Sequence, residues 1–436
     1  MRACVLDLPP DPLEIARRLS DRPGLFVLGP GFGKGTWLLG CDPIESVAAW
    51  DPEPGLAPAP SSEPWADLPR WVGLLPYEAA RRLERAGRGR IHDERPKPHA
   101  GSPIWHRYPA VLRVAERVVA FGQDQASVRH LGALTTRASR ACAASLTWAE
   151  PAEEPELHRE RVRQALELIR AGEIYQVNLA RRFSFKLVGS PLGLWEALER
   201  RAPAPYAAYV DAGDSVALGV SPEHLLSLGS DGELRTSPIK GTRPRHRDVG
   251  ADAALARELE LDPKERAELA MVIDVERNDL GRVAVTGSVR LLGPPRVETF
   301  AAIHHRVARL SARLRPGLGR ADLLSAMLPS GSVTGAPKVR AMEVIALLEA
   351  HRRGLYTGGI GLVGHDGSLE LGMAIRTVTV QGDEAHYFAG GGIVADSDPE
   401  REVEETHWKA AQLLGLVGPA PRNRHSQKLV RNPLEL

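Results

Sequence analysis

Residues 154–187, EPELHRERVRQALELIRAG-EIYQVNLARRFSFKL, decide how the chain is read. In the first half Leu157, Val162, Ala165, Leu166 and Ile169 recur at helical spacing, and Gly172 ends the run. The second half is rich in β-branched and aromatic residues and reads as a strand. Further strands are expected at AAYVDA, SVALGV and HLLSLG. A long helix is expected from DPKERAELAMVIDVERNDLG, with Asp262 as cap and Pro263 at its first position. Near the end, turn chemistry at GHDGS and QGDE predicts two strand pairs. Strands in runs, mixed with long helices, indicate an α+β fold rather than strict βαβ alternation.

Outward from this stretch the chain is less regular. Residues 51–70 and 93–104 are proline-rich loops, and 142–157 is the best linker. The glycine-rich GPGFGKG at 29–35 lacks phosphate-loop spacing, since Gly35 follows Lys34, and reads as a tight turn. Lys+Arg 56 against Asp+Glu 55 leaves a charge of +1, so no global field calls for nucleic acid or an anionic membrane. No apolar run approaches the ~20 residues that span a bilayer. The first residues carry acids and prolines instead of a signal-peptide core. Cys4, Cys41 and Cys142 are far apart, which predicts reduced, buried thiols in a cytoplasmic protein.

Two acidic spacings and one lysine carry chemistry. Glu265 and Glu268 lie three apart on a predicted helix, and Glu402 and Glu405 repeat that spacing in the last one. If the pairs converge, a hard cation between them would relieve their repulsion. Spacing alone favours two solvated helix faces. The loop and helix LPSGSVTGAPKVRAMEVIALLEA, 328–350, could cradle a carboxylate at a helix start or be an ordinary cap. His304 and His305 sit in a strand-like run, so they should face opposite sides and at most one can serve a site. Lys240, in SPIKGTRPR at 237–245, is held beside Pro238, Gly241 and Thr242, and must reach water or point into something.

GEIYQVNLARRF, GVSPEHLLSL, SPIKGTRPR, DPKERAELAMVIDVERNDLGRV, PSGSVTGAPKVRAMEVI, GLYTGGIGLVGHDGSLELGMAIRT and AGGGIVADSDPEREVEET follow one another in an order that resembles the chorismate-utilising enzymes of the anthranilate synthase component I type. The resemblance is strongest over about 172–410 and looser earlier, through WLLGCDPIESV and WVGLLPYE. It implies a large two-sheet β-sandwich with flanking helices. Residues 1–150 would be the N-terminal region, contributing to that fold, 151–418 the chorismate-binding catalytic domain and 419–436 a tail.

The same resemblance implies a site. Glu268 and Glu405 would bind Mg2+ directly, with Glu265 and Glu402 acting through water. Tyr356, Arg376, Gly390 and Lys409 would hold the carboxylates of chorismate, alongside Ser332, Thr242 and Gln176, with His305 near the reacting edge of the ring. Leu269 stands where histidine is common in the family. Isochorismate and salicylate synthases carry a water-activating lysine where this chain has Gln176, and glutamine cannot take that proton. Anthranilate synthases carry alanine where this chain has Lys240, and PIKGT resembles the branch that makes 4-amino-4-deoxychorismate. There Lys240 is a nucleophile and Glu223 the general acid. Ammonia would come from a glutamine amidotransferase partner. The alternatives are the anthranilate-forming activity, or a non-catalytic member that acts as a binding partner.

Overall fold

The computed structural model describes residues 1–56, 59–80, 95–150, 153–300 and 303–418. The expected tail, 419–436, lies outside them.

Two sheets dominate. In the strand Phe26–Gly33, Val27 faces one way while Phe26 and Leu28 face the other, the period of two that a strand imposes. Phe26, Leu28, Ala208, Val210 and Ala217 of a 12-stranded sheet meet Val72, Leu74, Ile360 and Leu362 of a 9-stranded sheet in one core. The opposite face of the larger sheet, with Val27, Tyr209 and Leu218, packs on helix residues such as Ile15, Leu131, Trp195 and Leu413. The opposite face of the smaller sheet packs on Leu269, Ile273, Leu280 and Leu323. Each such side chain, fully buried, contributes roughly 1.5–3 kcal/mol. This is the expected α+β sandwich with helices outside.

The N-terminal third is woven into both layers. Phe26–Gly33 pairs with Tyr206–Asp211 in the larger sheet, and Pro69–Leu75 pairs with Gly359–Gly364 in the smaller one. Part of the expected linker is in fact the strand Ala144–Trp148, paired with Gln176–Gly189. Its alternation buries Leu146 and sets Trp148 against Phe185 at 4.8 Å, enough apolar contact to recruit a short segment into the sheet. The expected tight turn at 29–35 is shorter than read, because residues through Gly33 are strand and only Lys34 and Gly35 turn, both at positive φ. The three thiols are free, but only Cys41 is buried; Cys4 is exposed on an edge strand and Cys142 is half-buried.

Two Asp-Pro sequences start the helices that bear the acid pairs. Asp262 accepts hydrogen bonds from the Lys264 and Glu265 amides at the head of Pro263–Val283, and Asp398 does the same for Pro399–Leu414. Asp262 also accepts from Arg243 at 3.0 Å, tying this helix start to the lysine strand. Asp262→Ala is expected to cost about 1 kcal/mol, read as a lower urea midpoint at unchanged slope. Among the described residues no helix is long and apolar enough to cross a membrane.

Candidate active site

A 3-stranded sheet carries Lys240 and His305. Ile239–Pro244 pairs with Ile303–Val307, and a bulge between Lys240 and Thr242 breaks the register. Gly241 makes the bulge: its φ is +80°, and a Cβ there would come within 2.6 Å of Leu259 and 3.0 Å of Glu265 Oε2. The bulge aims Lys240 at the strand Glu384–Ile393. A Cβ on Gly392 would lie 3.2 Å from Lys240 Nζ and 2.4 Å from Gln176 Nε2, so the amine and the amide flank one glycine. Lys240 makes no hydrogen bond or ion pair among the described residues.

His304 and His305 face opposite sides, as a strand requires. His304 turns to Thr299 and Asp252, away from Lys240. His305 Nδ1 lies 3.0 Å from Thr242 Oγ1 and 3.2 Å from the Gly241 carbonyl. A carbonyl can only accept, so the proton sits on Nδ1 and buried, unpartnered Nε2 is a free acceptor. Burial, with Arg376 adding to it, lowers His305 to about 4 and keeps the ring neutral at physiological pH.

Glu223 follows the strand Val216–Ser221 and is buried. Burial raises its carboxyl to about 7, against the pull of Lys240, and nearby Glu276 raises it further. Ser332 Oγ donates to Glu223 Oε1 at 3.3 Å. Arg376 adopts φ 49°, a strained conformation for a non-glycine residue. Its guanidinium has no carboxylate partner among the described residues, and burial holds its pKa down. Tyr356 stacks on Phe388 with centroids 5.3 Å apart. Beneath it, the buried Arg353–Glu349 pair binds the Val333 and Asn178 carbonyls and the Ala180 amide. Gly390 passes so close to the neighbouring strand that a Cβ would sit 2.4 Å from the Leu179 carbonyl oxygen.

The two acid pairs face a common space. Lys264 lies 3.8 Å from Glu268, and its charge also reaches Glu402 and Glu405 on the other helix. Glu402 and Glu405 abut Gly391, where a Cβ would be 2.9 Å from Glu402 Oε2. Burial, reinforced by Glu405, raises Glu402 to about 7; burial and Glu268 raise Glu265. Burial also pushes Glu405 up, but Lys409 at 2.6 Å outweighs it and holds the carboxyl low. Lys409 donates as well to the Gly390 carbonyl at 2.8 Å, so its amine lies between an acid and the expected carboxylate site. No three of the four acids bring ligand oxygens within 4.8 Å of one another. The donor set, with buried Glu402 Oε2 unpartnered, suits a hard divalent cation. The solvated-face reading of these pairs is only partly met: Glu402 is buried and Glu265 and Glu268 are half-buried, while Glu405 keeps a more exposed side chain.

The helix expected in 328–350 opens after Pro337, as Lys338–Leu348, and Lys338 turns inward to Asp279 at 2.6 Å. Buried Glu276, Ser330 and the Arg353–Glu349 pair were not singled out from sequence. The hint in the sequence is that Glu276 stands at helical spacing from Val272, Ile273 and Leu280, on the apolar face of its helix. A separate group, His99, Glu384 and His386, lies elsewhere on the larger sheet. Its two imidazoles stack at 3.9 Å with 13° between planes, so their in-plane lone pairs do not converge.

A profile of the family described as chorismate binding enzyme matches residues 42–415. Anthranilate synthase component 1 of Thermus thermophilus is 47% identical over 263 residues, 60% of this chain and 56% of that one. Aminodeoxychorismate synthase component 1 of Klebsiella aerogenes is 38% identical over 344 residues, 79% of this chain and 76% of that one. The crystal structure of anthranilate synthase component I from Streptococcus pneumoniae superposes with a TM-score of 0.72 at 28% identity, covering 94% and 92% of the two chains. The chain spans about half the length of several curated relatives that it matches.

Proposed function

The chain belongs to the family of chorismate binding enzymes, and from that premise we propose that it has aminodeoxychorismate synthase component 1 activity, converting chorismate and ammonia to 4-amino-4-deoxychorismate and water. The observation that carries this reading is Lys240: a lysine amine without an ionic partner among the described residues, beside Gln176, and close enough to buried Glu223 to influence its charge.

The chemistry follows from where charge must move. The Lys240 amine attacks carbon 2 of the ring, the diene shifts, and the hydroxyl at carbon 4 leaves. Glu223, raised towards neutrality by burial, gives that oxygen its proton and it departs as water. Ammonia then attacks carbon 4, the diene shifts back, and Lys240 is expelled. Glu223 takes up the proton released by the new amine, so the carboxyl returns to its starting state. Arg376, with no carboxylate of its own, grips a substrate carboxylate in bidentate fashion. Tyr356, Ser332, Thr242 and the Gly390 backbone complete the substrate contacts, and neutral His305 offers Nε2 as an acceptor near the ring. Lys409, paired with Glu405 here, would be released towards a substrate carboxylate if a cation held Glu405. Glu268 and Glu405 would hold Mg2+, with Glu265 and Glu402 acting through water. Bound there, Mg2+ would neutralise the ring carboxylate of chorismate.

The second reading, anthranilate formation, is favoured by the 47% identity to the Thermus thermophilus relative. Chromatographic identification of the product made from chorismate, Mg2+ and ammonium decides between them: anthranilate as the main product overturns the first reading. The nitrogen source gives a further test. The chain alone is expected to use ammonium salts and ignore glutamine, and to gain glutamine use when a glutamine amidotransferase partner is added. Glutamine-dependent turnover by this chain alone would contradict the partner.

A further inference from the structure

Between the helix Pro263–Val283 and Glu223, two serines form a bridge. Ser330 Oγ lies 2.5 Å from Glu276 Oε1 and 2.9 Å from Ser332 Oγ, which lies 3.3 Å from Glu223 Oε1. All four residues are buried. Gly331 brings the turn hard against the helix, since a Cβ there would sit 2.3 Å from Val275. Three oxygen–oxygen contacts need three protons, and two hydroxyls supply only two. The Ser332 amide also donates to Ser330 Oγ, at 3.1 Å, but adds no proton to these contacts. With both carboxyls ionised, one contact would set lone pairs against each other in a buried, low-dielectric place. The third proton therefore belongs to a carboxyl.

We infer that Glu276 shares one proton with Glu223 through Ser330 and Ser332, and acts as a positioning residue that keeps the general acid loaded. The inference rests on the reading of Glu223 as that acid. Transfer is balanced: Glu276 gives its proton to Ser330 Oγ, the Ser330 proton passes to Ser332 Oγ, and the Ser332 proton passes to Glu223 Oε1. Three O–H bonds break and three form, and one negative charge moves from Glu223 to Glu276. Around Glu276 stand Asp279, which repels that charge, and Lys338, which attracts it. Around Glu223 stand Lys240, Arg376 and Tyr356. Burial first, and then like-charged neighbours, raise both carboxyls to about 7, consistent with one proton for the pair at neutral pH.

Glu276→Gln supplies the missing hydrogen-bond donor and removes a negative neighbour, so Glu223 ionises at lower pH. With ammonium as nitrogen source, kcat at neutral pH should fall on the order of 10²-fold with KM for chorismate unchanged. The basic limb of the pH profile should move to lower pH. Ser330→Ala should lower kcat similarly, and Ser330→Thr should restore it. Difference infrared spectra at neutral pH provide a readout independent of turnover. Glu276→Gln and Glu223→Gln should each abolish the same single carboxylic-acid C=O band, because the proton is held jointly. Two separate bands, each removed by one variant, or a wild-type kcat and pH profile in Glu276→Gln, would overturn the relay. Wild-type turnover in Glu223→Gln would instead overturn the general-acid reading, whatever the spectra show.

Discussion

Incubated with chorismate and Mg2+ but no ammonia, the protein is expected to gain the mass of chorismate less one water, with the adduct mapping to Lys240. Lys240→Ala should show no adduct and should lose aminodeoxychorismate formation by roughly 10³-fold, equivalent to about 4 kcal/mol of transition-state stabilisation. The position of the amine explains the size of the effect. Lys240 Nζ and Gln176 Nε2 close on the same glycine, so the alanine variant loses the amine that stands beside that amide. Lys240→Arg should fail as well, because a guanidinium stays charged and cannot attack. Residual turnover in the alanine variant is expected to shift towards anthranilate, as ammonia adds at carbon 2 instead. Mass spectrometry and product chromatography check both points. Undiminished synthesis by both variants would leave Lys240 an ordinary loop lysine.

Glu268→Ala and Glu405→Ala should each abolish turnover, and a chelator should do the same to the wild type. The fold should survive, since facing carboxylates repel one another without a cation. The raised Glu402 and Glu265 carboxyls record that repulsion together with burial. The sign can be worked out for Glu402. Its folded value, about 7, lies above the ordinary carboxylate value of 4.5, so its contribution to stability is present below about 4.5 and is lost as pH rises towards 7. Mg2+ should reverse this loss. Melting temperatures at pH 5 and pH 8, with and without Mg2+, should show the larger metal-induced rise at pH 8. Equal rises, or activity that survives chelation, would remove the metal from this site.

Much of the fold was legible because its signals are local. The β-branched and aromatic residues of Gln176–Gly189, the Asp-Pro cap at Asp262, and the turns at GHDGS and QGDE involve residues close in sequence. Opposite faces for His304 and His305 followed from strand geometry alone. The strand Ala144–Trp148 was misread because its proline- and acid-rich surroundings look like a linker, and only its partner strand gives it a structure. The site was less legible. Nothing in the spacing of the four acids distinguishes an inward face from a solvated one, and burial decides it only after folding. Lys240 drew notice as a lysine among turn residues, but its role came through resemblance, since a bulge and a distant glycine set its direction. Glu276 escaped notice because an acid in a helix usually faces water. The serines that make it interesting come from another part of the chain.

The pairing of Pro69–Leu75 with Gly359–Gly364 also bears on how the protein is born. Val72 lies beside Leu362, so most of the polypeptide must be synthesised before that strand edge finds its neighbour. At translation rates of about 5–20 residues per second, the nascent strand waits on the order of 15–60 s. Such non-local pairing predicts slow folding, and an unpaired apolar edge on the ribosome is prone to aggregation. The interleaving that holds the two sheets together thus makes newly made chains dependent on protection until their last third emerges.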